Sequence, residues 1–306
     1  MISSLSSSSQ LFLSDLARLQ SQATTAQQQI SSGFRVQTAA DAPDQISQLL
    51  QLEAQLAGNT QAGTNLTNVK AEVDTGESAV SSAIQLLDQA GTLAAQGASS
   101  SVTAATRSNL AAQVQAIQEQ LVSTTSTTAQ GRYIFGGDQD TTAPYQLNLA
   151  NPNGVDRLTN AAATRQIQDA AGVSFPVAQT AQNIFDHRNP DDTLATDNVF
   201  AALNGLRVAL AANDTPGIAS AIDALHTSAS YVNNQLSSYG LVQDRLAAAI
   251  DGQQNGGLAL KAQISTIRDA DQTQAVLQLS ASTTQLQAAL EGEAKISKNS
   301  LFSYLA

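Results

Sequence analysis

The chain has 306 residues, long enough for one large or two or three small domains, but only 13% are charged and 4% aromatic. Ala, Ser, Thr and Gln dominate, a composition that favours long, thin helices over a wide globular core. A net charge of -11 with four lysines argues against nucleic acid, whose phosphates need clustered Lys and Arg. The lack of Cys excludes disulfides and thiolate chemistry, and no apolar run of about 18 residues exists to span a bilayer.

Ser3 to Ser9 are nearly all serine and should fray at a free chain end. Phe12, Leu16, Leu19, Ala23, Ala26 and Ile30 then recur at spacings of four and three, the seam of a coiled coil. Only Asp15, Arg18 and Arg35 are charged in the first forty residues. A lone helix with one narrow apolar stripe is marginal in water, so another helix must cover Leu16 and Leu19. Ser31, Ser32 and Gly33 end this helix. Asp41 is expected to cap the next one, with Pro43 in its first turn and Asp44 three residues on.

From Leu49 to Ala94 one heptad register aligns Leu49, Leu52, Leu56, Leu66, Val73, Val80, Ile84, Leu87 and Ala94, on one long helix or two in register. After a turn at Gly97 to Ser101, the spacing of Leu110, Val114, Ile117 and Leu121 predicts a third helix. Between Gly136 and about Asn198 the period changes. Pro144, Pro152, Asn153-Gly154, Pro176 and Pro190 punctuate short β-rich runs such as Tyr145 to Leu149 and Val173 to Val177.

Helical spacing resumes at Phe200 to Leu210, and Thr215-Pro216 opens the next long element. There Ile218, Ile222, Leu225, Ala229, Val232, Leu236, Tyr239, Leu246 and Ile250 hold a register interrupted only at Gln243. A break is expected at Asn255-Gly256-Gly257. Leu260, Ile264 and Ile267 continue the seam. Val276, Leu279, Leu286 and Leu290 follow in a shifted phase, so the face changes near Asp269 to Gln272.

The expected fold is mainly α: a long, discontinuous α-helical coiled-coil rod formed by both chain ends, with a small β-rich insertion domain in the middle. Residues 1–43 form an N-terminal coiled-coil half that pairs with 258–306. Residues 44–137 and 199–257 supply the two halves of the helical rod, and 138–198 form an insertion that faces outward.

No constellation in the chain motivates an enzyme: phosphate loop, nucleophile elbow and triad spacing are all missing. No cofactor is expected. Asp186-His187 and Asp191-Asp192 suggest a metal loop, but with only His187 and His226 available a solvated polar loop is favoured. Asp138 and Asp140 look like the start of a calcium loop, yet its twelfth position is Leu149 instead of Glu. Asp269 and Asp271 lie two apart and so off a common helix face; capping or salt bridging suits them.

Several motifs line up in order with one family. "QQQISSGFRVQTAADAP", Gln27 to Pro43, resembles the N-terminal signature of bacterial flagellins and their hook-associated relatives. "SAIQLLDQAGTLAAQGA", Ser82 to Ala98, and "AQVQAIQEQLV", Ala112 to Val122, are similar to its inner-rod helices. "YGLVQDRLAAAI", Tyr239 to Ile250, and "IRDADQTQAVLQLS", Ile267 to Ser280, are similar to its C-terminal pair. Gly131, Arg132, Tyr133, Ile134, Phe135, Gly136 and Gly137, with the ending Leu286 to Ala306, resemble the members that join hook to filament more than flagellin proper.

The resemblance implies a secreted, extracellular structural subunit of the bacterial flagellum, sited at the hook-filament junction and exported largely unfolded. Its implied partners are copies of itself in a ring, an adjacent hook-associated protein, flagellin and an export chaperone, without nucleic acid or membrane insertion. The alternative is a short flagellin that forms the filament itself. In either case the terminal seams are the assembly elements, and their ends are expected to order on assembly. The expected interface is Phe12, Leu16, Leu19, Ile30, Leu279, Leu286 and Leu290 with the apolar ending Leu301, Phe302, Tyr304 and Leu305. The Gly131 to Gly137 motif reads either as a partner contact or, preferably, as a helix exit whose aromatics pack under the insertion, since paired glycines usually serve backbone geometry.

Overall fold

The computed structural model describes residues 2–161, 163–168 and 174–298. The elements run α1 (Ile2–Ser32), α2 (Ile46–Ala98), α3 (Ala104–Thr125), β1 (Thr128–Ala129), β2 (Arg132–Tyr133), β3 (Tyr145–Leu147), β4 (Val155–Arg157), β5 (Gln166–Gln168), β6 (Ser174–Pro176), α4 (Ala181–Phe185), α5 (Val199–Ala211), α6 (Thr215–Arg268) and α7 (Gln272–Lys298). The fold is mainly α, with long helices at both ends and a small strand-containing middle, as the periodicity indicates. It divides into two compact units, Met1–Thr60 with Asn255–Ala306 and Gln61–Gln254.

In the terminal unit α7 packs along α1. Below that pair, Val36, Ala42, Leu49, Leu52 and Ile264 form a small core, with Ile46, Leu56, Leu260 and Ile267 against it. Gly33, at φ 76°, ends α1, because the left-handed region costs glycine nothing. Asp41 does not cap α2. Its Oδ2 accepts from the backbone N–H groups of Gln37 and Thr38 at 2.9 and 2.7 Å, and α2 begins only at Ile46. The acid closes a turn backward onto the preceding residues, and those two donors hold its carboxyl below the usual carboxylate range.

The break expected at Asn255-Gly256-Gly257 is absent, since α6 runs unbroken from Thr215 to Arg268. The glycines serve close approach: a Cβ on Gly256 would lie 3.2 Å from Nδ2 of Asn59, and one on Gly257 3.0 Å from its Oδ1. Glycine within a helix costs about 1 kcal/mol relative to alanine, and here it admits the side chain of α2.

In the central unit one core gathers α2 from Leu66 on, α3 from Leu110 to Val122, α5, and α6 as far as Ile250. Phe135, Phe175, Phe185 and Phe200 are all fully buried in it, so a chain poor in aromatics concentrates them in one place. Phe135 meets Phe185 edge-on at 5.8 Å, and Phe200 touches both Phe185 and Tyr145. Among the described residues the strands pair as three antiparallel two-stranded ribbons: β1 with β2, β3 with β4, and β5 with β6. Such ribbons are marginal alone, and Tyr145, Val155 and Phe175 anchor two of them in the helical core.

The interruption at Gln243 has a partner. Its Nε2 donates to Asp74 Oδ1 at 2.9 Å, and Lys70 Nζ reaches Asp74 Oδ2 at 2.7 Å. A second polar node ties two chain reversals together. Arg107 is 5% exposed; its Nε donates to the Gly97 carbonyl (2.7 Å), Nη2 to the Ser99 carbonyl (2.9 Å) and Nη1 to Asn213 Oδ1 (2.6 Å). The C-terminal carbonyls of α2 thus stand in for a carboxylate. Arg107→Ala is expected to cost about 2 kcal/mol, since it strands the buried Gly97 carbonyl and removes the group that ties the two reversals together. Arg107→Lys should rescue little, because one ammonium cannot match the fork. Urea unfolding measures both.

Candidate assembly surfaces

The helices at the chain ends meet along faces set by their heptads. On α1 the predicted seam is the covered one: Leu19 and Ala26 are buried and Phe12, Leu16, Ala23 and Ile30 half-buried. The covered face of α7 is Ala275, Leu279, Ser282, Leu286 and Ala289. Leu279 and Leu286 lie on it as expected. Val276 and Leu290 do not, because each sits one position off that stripe, and Leu290 is 55% exposed. The sequence phase was drawn through the larger side chains, whereas the helices approach through Ala275 and Ala289. Leu301, Phe302, Tyr304 and Leu305 lie outside the described residues.

Pairing therefore does not exhaust the apolar surface. Leu11 is 67% exposed, and Leu13, Val276 and Leu277 are exposed with it. Single exposed leucines need no explanation, but these four, with Leu290, sit on the paired terminal helices in stretches, residues 1–13 and 272–290, that hold no charged residue. Leu11, Leu13 and Leu277 were missed by sequence reasoning. Their signal was position: Leu11 and Leu13 flank Phe12, and Leu277 follows Val276.

The motif Gly131 to Gly137 folds as a helix exit. Gln130 and Gly131, at φ 52° and 79°, turn β1 into β2, the two-residue geometry that suits a twisted hairpin. Arg132 pairs with Asp140 at 3.2 Å. The Tyr133 N–H donates to the Asp140 carbonyl (2.9 Å) and the Ile134 N–H to the Thr127 carbonyl (3.1 Å). Phe135 is buried and its carbonyl accepts from the Ala181 N–H. A Cβ on Gly136 would meet the Asp140 backbone at 2.8 Å, and one on Gly137, at φ 56°, the Ala163 carbonyl at 2.6 Å. Both glycines are thus required by the backbone around them.

The polar loop is solvated at Asp191 and Asp192, as expected, but not at Asp186. Asp186 is fully buried, with Oδ1 accepting from Asn198 Nδ2 (2.8 Å) and Asn153 Nδ2 (3.2 Å), and Oδ2 from Arg188 Nε (2.8 Å) and the Tyr145 hydroxyl (3.1 Å). Burial, then the neighbouring carboxylate, pushes the Tyr145 hydroxyl far above its ordinary range, so it stays a donor. His187 Nδ1 lies 2.7 Å from Asp197 Oδ1, its ring stacked 4.7 Å from Tyr231. Among the described residues no group of three His, Asp or Glu is placed to hold a metal ion, and no helix is long and apolar enough to cross a membrane.

Models of the bacterial flagellin N-terminal and C-terminal helical regions match residues 2–140 and 222–305. Flagellar hook-associated protein 3 of Escherichia coli is 29% identical over 196 residues, 62% of this chain and 59% of its own length. The corresponding protein of Salmonella typhimurium is 27% identical over the same extent. This chain thus spans under two thirds of both curated relatives. Among solved structures, flagellar hook-associated protein 3 from Legionella pneumophila is 14% identical at a TM-score of 0.60, covering 71% of this chain and 98% of its own. A chain from Vibrio parahaemolyticus described as flagellar hook-associated is 19% identical at 0.65, covering 75% and 100%. At such identities the likeness is one of fold.

Proposed function

We propose, for a chain that belongs to the bacterial flagellin family, a structural role: a subunit of the hook-filament junction that joins a hook-associated protein to the flagellin filament. The observation that carries this reading is the matching of both terminal helical regions by flagellin models in a chain whose curated relatives are called hook-associated protein 3. The mechanism is non-covalent. Phe12, Leu16, Leu19 and Ile30 of α1 and Leu279 and Leu286 of α7 are covered as the two helices pack along each other within one chain, while Leu290 and the flanking leucines remain for neighbouring copies. The ending Leu301, Phe302, Tyr304 and Leu305 adds a docking cluster. Transfer from water of about 25 cal/mol per Å² of apolar surface supplies the driving force, and the Ala- and Ser-rich flanks let further helices approach closely.

On this reading the subunit is not an enzyme. It works outside the cell after export, with an export chaperone, a ring of its own copies, the adjacent hook-associated protein and flagellin as partners. Electron microscopy of a strain lacking the protein should show hooks without filaments and unpolymerised flagellin in the medium; unaltered flagella would reject the role. The family models fit a short flagellin equally well, and filament seeds separate the two. A flagellin elongates them indefinitely, whereas a junction subunit stops.

A further inference from the structure

We infer that the two helix breaks of the terminal unit form a clasp that fixes the register of the α1–α7 pair, with Phe34 and Arg268 as its positioning residues. This rests on reading the pair as the assembly surface, for which register decides which leucines face outward.

Paired helices usually take their register from a buried polar residue or from charges flanking the seam. Among the described residues the α1–α7 seam carries little of either: its buried polar group is the single small hydroxyl of Ser282, Asp15 and Arg18 bond to each other at 3.2 Å, and no ion pair crosses between the helices. The α7 face is also nearly unchanged by a seven-residue slip, which carries Ala275 onto Ser282, Leu279 onto Leu286 and Ser282 onto Ala289. Such a slip would displace the helices by about 10 Å at 1.5 Å per residue while re-forming similar contacts. Something outside the seam must select among registers.

The breaks at 33–36 and 268–270 supply it. Phe34 and Asp269 form an antiparallel bridge. The N–H groups of Arg35 and Val36 donate to the Arg268 carbonyl at 2.7 and 3.2 Å, and the Ala270 N–H donates to the Gly33 carbonyl at 2.9 Å. Side chains close over this bridge. The Arg268 guanidinium lies 4.3 Å from the Phe34 ring centroid, a cation–π distance, and Nη1 reaches Glu53 at 3.5 Å. From the other strand, Arg35 Nη2 donates to the Ile267 carbonyl at 2.6 Å and to Gln45 at 3.0 Å. Asp271 then starts α7 by accepting from the Gln274 N–H. The bridge bonds, the Phe34–Arg268 contact and the Arg35–Ile267 bond join particular residues at the base of the two helices, so only one alignment satisfies them all.

The chain has no native Cys, so spin labels at Gln27→Cys and Gln278→Cys, both exposed, report the base of the pair by pulsed electron resonance on the full chain in its assembled state. The parent should give one narrow distance. Phe34→Ala with Arg268→Ala should broaden it or add a second population shifted by a few Å, because the labels face each other across the pair and an axial slip of about 10 Å adds only in part to their separation; Arg268→Gln alone should do so partly, and Phe34→Tyr should keep it narrow. A broad parent distribution, or narrow, unshifted distances in both alanine and glutamine variants, overturns the clasp. Thermal unfolding of the central unit checks that the variants fold, and the strain phenotype judges the junction role independently.

Discussion

Asp186→Ala is expected to destabilise the central unit by about 3–5 kcal/mol, the range for breaking a buried charge pair by removing one partner. The carboxylate is fully buried and accepts four hydrogen bonds, from β3, the β3–β4 turn, the residue after next and the N-cap of α5. Its loss strands the Arg188 guanidinium and removes the acceptor that Tyr145, Asn153 and Asn198 share. Asn198 also caps α5 through Oδ1 to the Ala201 N–H at 2.9 Å, so the damage spreads into that helix. At roughly 2–4 °C per kcal/mol for a unit of this size, the melting midpoint should fall by about 10 °C. Asp186→Asn keeps the shape but replaces one acceptor with a donor facing donors, and should recover less than half. A change of under 1 kcal/mol in calorimetry would show that the carboxylate does not organise the middle of the chain.

The second large effect is functional. Deleting Leu286 to Ala306 removes two covered positions of α7, Leu286 and Ala289, with exposed Leu290. Cells carrying the truncation should still secrete the subunit but lose their filaments, a near-complete loss of swimming read on soft agar and by microscopy. Normal filaments would sink the assembly reading. Leu290→Ser refines the test: more than half exposed, the side chain contributes little to the fold of one chain, so weaker filaments with unchanged unfolding would place its contact on a neighbour.

The helical architecture was legible because burial follows period. Phe12 through Ile30 are the α1 positions that packing covers, and the polar gap at Gln243 marks where Asp74 crosses from α2. What escaped depended on partners distant in sequence. Asp186 looked like a loop acid because Tyr145 lies 41 residues away and Asn153 33, and no spacing rule links them. Gly256-Gly257 looked like a helix stop because Asn59, which fills the space they leave, comes nearly two hundred residues earlier. Asp41 carried a cap signature followed by Pro43, but its side chain turned backward to Gln37 and Thr38. On the surfaces, the exposed leucines beside Phe12 and Val276 were in plain view, yet a search for one stripe discards residues adjacent to it.

The Arg107 node also bears on the order of folding. Helices α2 and α6 can propagate from local contacts within microseconds, whereas the bond from Arg107 to Asn213 closes a loop of more than a hundred residues, whose entropy must be overcome first. The corner is therefore a late event on the route to the native state. If the chain is exported through a narrow conduit, as proposed, it would hold helical segments well before this lock engages, and would commit to a finished subunit only once residue 213 had cleared the exit.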